Sequence, residues 1–286
     1  MATSAQESSD RSVLNSIQSN IEVRKMDFKF GRLDRRDWYR DNPILSAFIA
    51  VLSGTFPPGE QMFIDSVRYY RDRIKEPELL EDVKAFTRQE AHHTHQHKLA
   101  NTQLEQVGWK VSSIERRVER AINFLNKHRT PRERLAATVC LEHITAIVAE
   151  YVLTHPKHIE GMHPSIRNML VWHAIEEIEH KSVAFDVYMS IGGKRKTLHR
   201  IMKSVQFLFP LLTTLRTFYL LWKAKTLPKW HHIKEAHKML FGEEGMIRCI
   251  KQPFMDFYRE DFHPNDHDNR LLAASWKEAI KEYQLG

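Results

Sequence analysis

Two Glu-x-x-His pairs, Glu90–His93 and Glu177–His180, fall on stripes that are otherwise apolar. On an α-helix, residues three and four apart share a face, so each pair projects a carboxylate and an imidazole together. His173, four residues before Glu177, joins that second stripe. Glu60 and Glu142 stand alone among Phe, Val, Leu and Ala, at positions where a core is expected. Gathering four ionised carboxylates into one interior would cost several kcal/mol each, and bound cations would offset that cost. A lone Glu from each of two helices, with Glu-x-x-His from each of two others, is the ligand pattern of carboxylate-bridged dinuclear bundles. The chain order is also that of the pattern: Glu60, Glu90 with His93, Glu142, then Glu177 with His180.

Four periodic segments must position these groups. The first is expected to begin after Phe56-Pro57-Pro58-Gly59 and carries Glu60, Phe63, Val67 and Tyr70. The second follows Pro77, the third starts at Pro131, and the fourth runs from Pro164 without a break to Gly192-Gly193. Proline suits a first helical turn, and spacings of three and four mean helix rather than strand. A further helix over roughly 112–126 links the two halves, and an amphipathic stretch covers Arg270 to Tyr283. The expected fold is all-α, a ferritin-like four-helix bundle with additional C-terminal helices. Residues 1–27 read as a polar, disordered tail and 28–286 as one metal-binding domain. Within it, the bundle covers about 57–192, a basic apolar segment 193–240, and a C-terminal tail 241–286.

Each candidate also has a plainer reading. Glu60 fits a first-turn acid favoured by the helix dipole, and Glu142 a solvated residue at one end of the bundle. His97 shares the ligand stripe, as an extra ligand or a proton carrier, while His92 and His95 read as surface or supporting groups. Glu176 and Glu179 flank the stripe and are expected to face solvent or Lys/Arg. His143 points about 100° away from Glu142 and reads as structural. His263 and His267, in FHPNDHD, could close the site from the tail. Phe86 and Trp172 read as core.

Composition agrees with a helical chain. Only 10 Gly and 11 Pro in 286 residues leave few turns, whereas 17 His is high. Cys140 and Cys249 cannot build a disulfide framework, which fits a reducing compartment. Of the net charge of +7, residues 191–240 alone contribute +10, with eleven Lys/Arg and one acid, Glu235. The stretch from Ser204 to Trp222 is long and apolar but interrupted by Pro210 and Arg216. It reads as a buried hairpin or core helix, as a surface anchor meeting anionic lipid, or as a true membrane span. No nucleic-acid-binding motif accompanies the charge, so nucleic acid is not expected as a partner. Without a secretory signal in the polar N-terminus, the expected location is cytoplasmic, at or near the inner face of the membrane.

Glu60 after FPPGE, QEAHHTHQH, LEHITA, WHAIEEIEHKSVAFDVY and FHPNDHD together resemble the bacterial family called predicted metal-dependent hydrolases, from about Phe28 to Asp268. The ligand helix, with His173, Glu177 and His180, is similar to that of the arylamine N-oxygenase group of di-iron enzymes. That second resemblance implies a seven-ligand site: Glu60, Glu90, His93, Glu142, His173, Glu177 and His180. Four carboxylates and three imidazoles suit two Fe ions, or Mn, better than zinc. The resemblance implies two ferrous ions that reduce O₂ beside a substrate pocket; the basic apolar segment from Lys194 to Lys229 suggests a small apolar, lipid-like substrate, and an electron-donor protein could be a partner. Hydrolysis by two divalent ions is the competing reading, and a non-catalytic metal-binding role is the third.

Overall fold

A computed structural model describes residues 21–285. Among the described residues there are helices and turns but no strand, only one isolated bridge between Met26 and Gln284. Helix α1 spans Pro43–Arg68, α2 Pro77–Gln106, α3 Val111–His128, α4 Pro131–Thr154 and α5 Pro164–His180. After these come α6, Val183–Ser190, α7, Arg195–Lys223, and α8, Trp230–Phe241. Short helical turns at Met246–Cys249 and Lys251–Asp256 lead to α9, Arg270–Ile280.

Local chemistry sets the helix starts. Asn42 caps α1 by accepting from the amides of Ile44 and Leu45, and Pro43 occupies the first turn. Thr130 and Glu133 form a reciprocal capping box ahead of Pro131 in α4. Two expected boundaries are corrected. Pro57 and Pro58 lie inside α1 rather than before it, because the helix already begins at the Asn42 cap. The fourth segment is interrupted at Lys181 and Ser182, so α5 and α6 are separate. The interruption coincides with the buried Lys181 ammonium, which leaves the helix axis to donate to the His267 carbonyl and to Asn269 Oδ1.

Two apolar clusters occupy the two ends of the bundle. One contains Val51 of α1, Leu104 of α2, Leu153 of α4 and Met169 of α5. The other contains Val67 of α1, Phe86 of α2, Val139 of α4 and Val187 of α6. Helices α1 and α5–α6 therefore run from the first end to the second, while α2 and α4 run back. Since α2 and α4 are parallel, the chain must cross between them, and the 18 residues of α3 (about 27 Å of helix) make that crossing. Glu60, Glu90, Glu142 and Glu177 fall in sequence between the residues of the two clusters, so the ligand layer lies mid-bundle.

Residues 21–27, grouped with the tail on sequence grounds, are corrected to part of the packed domain; residues 1–20 of that tail lie outside the described residues. Arg24 is 2% exposed, and Met26 and Lys25 pair with the chain near Tyr283 and Leu285. Gln96 Nε2 of α2 donates to the Met26 carbonyl, and Phe28 packs on Trp172.

The approach of α1 to α3 depends on Gly54. A Cβ there would stand 2.6 Å from Val111 Cγ1 and 3.3 Å from Ile114 Cβ. Gly54→Ala gains helix propensity but overpacks this contact, at a cost of about 1–3 kcal/mol. The expected result is a Tm several degrees lower in thermal unfolding, where an exposed helical glycine would have raised it.

Candidate metal centre

Each of the seven sequence candidates lies in the mid-bundle layer, and none is more than 4% exposed. Their polar atoms form two groups, Glu60–His93–His173 and Glu90–Glu177–His180, with the ligating atoms of each group within 4.8 Å of one another. Glu142 adjoins the second group, its Oε2 lying 3.5 Å from His180 Nε2. Glu90 Oε1 approaches His93 Nδ1 at 3.5 Å and His180 Nε2 at 3.1 Å, so it touches both groups. Glu177 does the same, with Oε1 3.8 Å from His93 Nδ1 and Oε2 3.6 Å from His180 Nε2. The two Glu-x-x-His carboxylates thus lie between the groups, and Glu60 and Glu142 lie at opposite ends.

The donor set fits cations. Glu60 Oε1, both oxygens of Glu90 and of Glu142, Glu177 Oε2, His93 Nδ1 and His180 Nε2 are buried without a hydrogen bond. Native interiors rarely leave such groups unsatisfied. Donors sharing an ion at about 2.0–2.2 Å lie roughly 3 Å apart at right angles, close to the approaches seen here. Charge points the same way. Burial, then the negative charge of Glu90, pushes Glu60 well above the carboxylate range, and burial with Glu177 does so for Glu142. Without added positive charge the four carboxylates cannot all ionise; two divalent ions would let them do so.

Two imidazoles are oriented reciprocally. His93 shares its Nε2 proton with Glu176 Oε2 at 3.1 Å, and His180 directs Nδ1 to Gln89 Oε1 at 2.8 Å. Gln89 directly precedes Glu90 and Glu176 directly precedes Glu177, so each Glu-x-x-His helix supplies the group that holds the opposite helix's histidine. These bonds leave His93 Nδ1 and His180 Nε2 facing the cluster, the usual way in which outer partners fix a ligating imidazole. Arg24 ties the supports together, donating to Glu176 Oε1 and to both oxygens of Glu179. Gln89 Nε2 and Lys277 also reach Glu179. Burial by itself lowers the His93 pKa, but hydrogen bonding to Glu176 and Glu90 outweighs it and moves the pKa up to about 10. Glu176 and Glu179 therefore meet the expectation of a cationic partner, but the solvent-facing alternative is corrected: both are buried or nearly so.

His173 is fixed through a longer chain. Asn101 Nδ2 donates to the Ser53 carbonyl and to Glu115 Oε1, which turns its Oδ1 toward the Ser53 hydroxyl. Ser53 gives its one proton to that oxygen at 2.6 Å and so accepts from His97 Nδ1 at 3.0 Å. His97 Nε2 is then the acceptor for His173 Nδ1 at 2.8 Å, and the bare His173 Nε2 faces Glu177 Oε1 at 2.7 Å. Two acceptors that close are reconciled by a shared cation. Burial, then His173 and His93, holds His97 well below its usual pKa, so it serves as this neutral link. The Ser53 carbonyl is open to Asn101 because Pro57, four residues on, has no amide to offer it. The mid-helix prolines thus contribute to the site itself.

Other sequence candidates lie elsewhere. His95 is exposed and His92 half-buried. His143 is buried on the far side of α4, against Phe257 and Phe262, with Nε2 on the Pro253 carbonyl. His263 and His267 do not close the cluster: they pair with Asp186 of α6 and with Asp256 of the short 251–256 helix. Phe86 and Trp172 are core, yet each also stands edge-on to a ligand, Phe86 on His180 and Trp172 on His93. Arg24, Ser53, Gln89 and Asn101 were missed. Repetition of a polar residue before each Glu-x-x-His was the one available signal, for Gln89.

The family described as predicted metal-dependent hydrolase matches residues 22–268. The chain belongs to this family. No curated protein and no solved structure matches it. The match spans all seven candidate ligands and the FHPNDHD stretch of the tail.

Two outcomes test the supports. Gln89→Leu removes the acceptor that orients His180 and is expected to weaken metal retention by about 10–100-fold in chelator competition. Arg24→Met leaves Glu176 and Glu179 buried with fewer partners, and denaturant unfolding is expected to show a loss of about 3–5 kcal/mol.

Proposed function

We propose that the protein is a dinuclear metal-dependent enzyme, acting as a hydrolase, in which Glu60, Glu90, His93, Glu142, His173, Glu177 and His180 hold two divalent cations. The observation that supports this best is the set of unsatisfied, mutually close carboxylate and imidazole atoms in a buried layer. Family membership favours hydrolysis. Glu90 and Glu177, whose oxygens approach both His93 and His180, and Glu60 and Glu142, at the two ends of the layer, are the carboxylates that would hold the cations. When bound, such a pair supplies Lewis acidity and an activated water, or, with a redox-active metal, electrons for O₂.

The protein's own residues define what surrounds that chemistry. Thr94 Oγ1 donates to Glu60 Oε2 at 2.8 Å, holding one oxygen and leaving the other toward the cluster. Phe56, Phe86 and Trp172 wall the layer against His97 with His173, His180 and His93 respectively, and exclude bulk water. Phe56 is only half-buried, whereas Phe86 and Trp172 are fully buried.

A second reading, oxidation of a small apolar and lipid-like substrate with O₂, is favoured by the donor set. Four carboxylates against three imidazoles suit iron or manganese, and dry aromatic walls suit oxygen chemistry better than entry of a polar ester. An electron donor would then be required as a partner.

Metal analysis of the purified protein decides the first point. Two metal equivalents per chain are expected, with loss in Glu90→Ala; full retention in that variant would overturn the proposal. Incubation of the loaded protein with ester and phosphate substrates under strict anaerobiosis then separates the readings. Turnover without O₂ supports hydrolysis, whereas O₂ uptake with an optical transient on mixing supports oxidation.

A further inference from the structure

Helix α7 is apolar on two sides. Leu198, Met202, Leu220 and Leu221 are buried against the bundle, but Phe207, Leu208, Leu211, Leu215, Phe218 and Trp222 are each more than half exposed. At about 100° per residue these six fall within a single arc of roughly 100°, the width of a face that normally packs on something. Leu227 and Trp230, just beyond the helix, are 93% and 68% exposed. By length and composition both α4 and α7 could cross a membrane, yet α4 is 61% buried over its apolar window and α7 only 22%. Because the inner face of α7 packs on the bundle, α7 is not free to span; its outer face is free to lie on a surface.

Charge identifies that surface. A groove of about 370 Å³ opens at the edge of the stripe, lined by Arg117 and Arg120 of α3 and by Leu212, Leu215, Arg216 and Tyr219 of α7, with no acid among them. Arg117 lies over the Tyr219 ring at 4.3 Å. Lysines border the exposed aromatic residues: Lys223 Nζ is 4.9 Å from the Trp222 ring and Lys234 Nζ 5.6 Å from that of Trp230. Residues 191–240 sum to +10. Pairing this face with a second copy would set these cations against one another, whereas an anionic bilayer neutralises them while its acyl boundary takes the apolar stripe. Guanidinium groups are well matched to phosphate oxygens.

We infer that the α7 face docks flat on anionic phospholipid, with Phe207, Leu211, Phe218 and Trp222 in the headgroup–acyl boundary and Arg117, Arg120 and Arg216 around a lipid phosphate. The test is flotation of the full chain with vesicles of phosphatidylcholine alone or mixed with phosphatidylglycerol. Binding is expected only to the mixed vesicles and to fall steeply with salt. The triple variant R117Q/R120Q/R216Q is expected to lower partitioning on the order of a hundredfold. F207S/F218S should lower it by about tenfold or more with an unchanged Tm, since both rings are exposed. Equal binding to both vesicle types, or none to either, would overturn the inference. So would a concentration-dependent dimer that F207S/F218S dissociates, which would assign the stripe to a second copy.

Discussion

Four carboxylates held in a dry layer between two apolar ends are the constraint from which the rest of this structure follows. Such a layer is stable only if positive charge enters it or protons remain on it, and the structure shows both pressures. Burial drives Glu60 and Glu142 upward, while imidazoles crowd the remaining oxygens. A bundle offers the setting because helical spacing delivers Glu-x-x-His from one face with no irregular backbone to satisfy inside the core.

Rigidity around the layer comes from exchange between elements. Gln89 and Glu176 each steady the imidazole of the facing helix, so the two Glu-x-x-His units cannot shift independently. Arg24 and Lys277, from near the two ends of the described chain, meet at Glu179. The N-terminal segment and α9 are thereby coupled to the ligand helices, which explains why residues 21–27 are ordered against a bundle that begins only at Pro43. On the opposite flank, an interruption in helix hydrogen bonding at Pro57 is used by Asn101, and the polarity of the resulting chain reaches His173.

The remainder of the molecule separates by function. The C-terminal histidines serve local ion pairs, and His143 serves an aromatic cluster, so the high histidine content does not denote one enlarged site. Helix α7 stands apart in a different way: its inner face completes the bundle against α1 and α4 while its outer face carries apolar surface that no other described residue covers.

The sequence by itself determined the all-α class, the helix starts at Pro77, Pro131 and Pro164, and the seven polar residues on apolar stripes, because 3.6-residue periodicity and first-turn prolines are local signals. It could not place the start of α1, since a proline pair looks alike before a helix and inside one until the Asn42 cap is seen to act. It could not separate α5 from α6, because the three-and-four spacing of His180, Ala184 and Val187 continues through the two-residue break at Lys181 and Ser182. Arg24, Ser53, Gln89 and Asn101 were likewise decided by tertiary structure: each matters through a partner at least 44 residues away in sequence, at a distance no periodicity encodes.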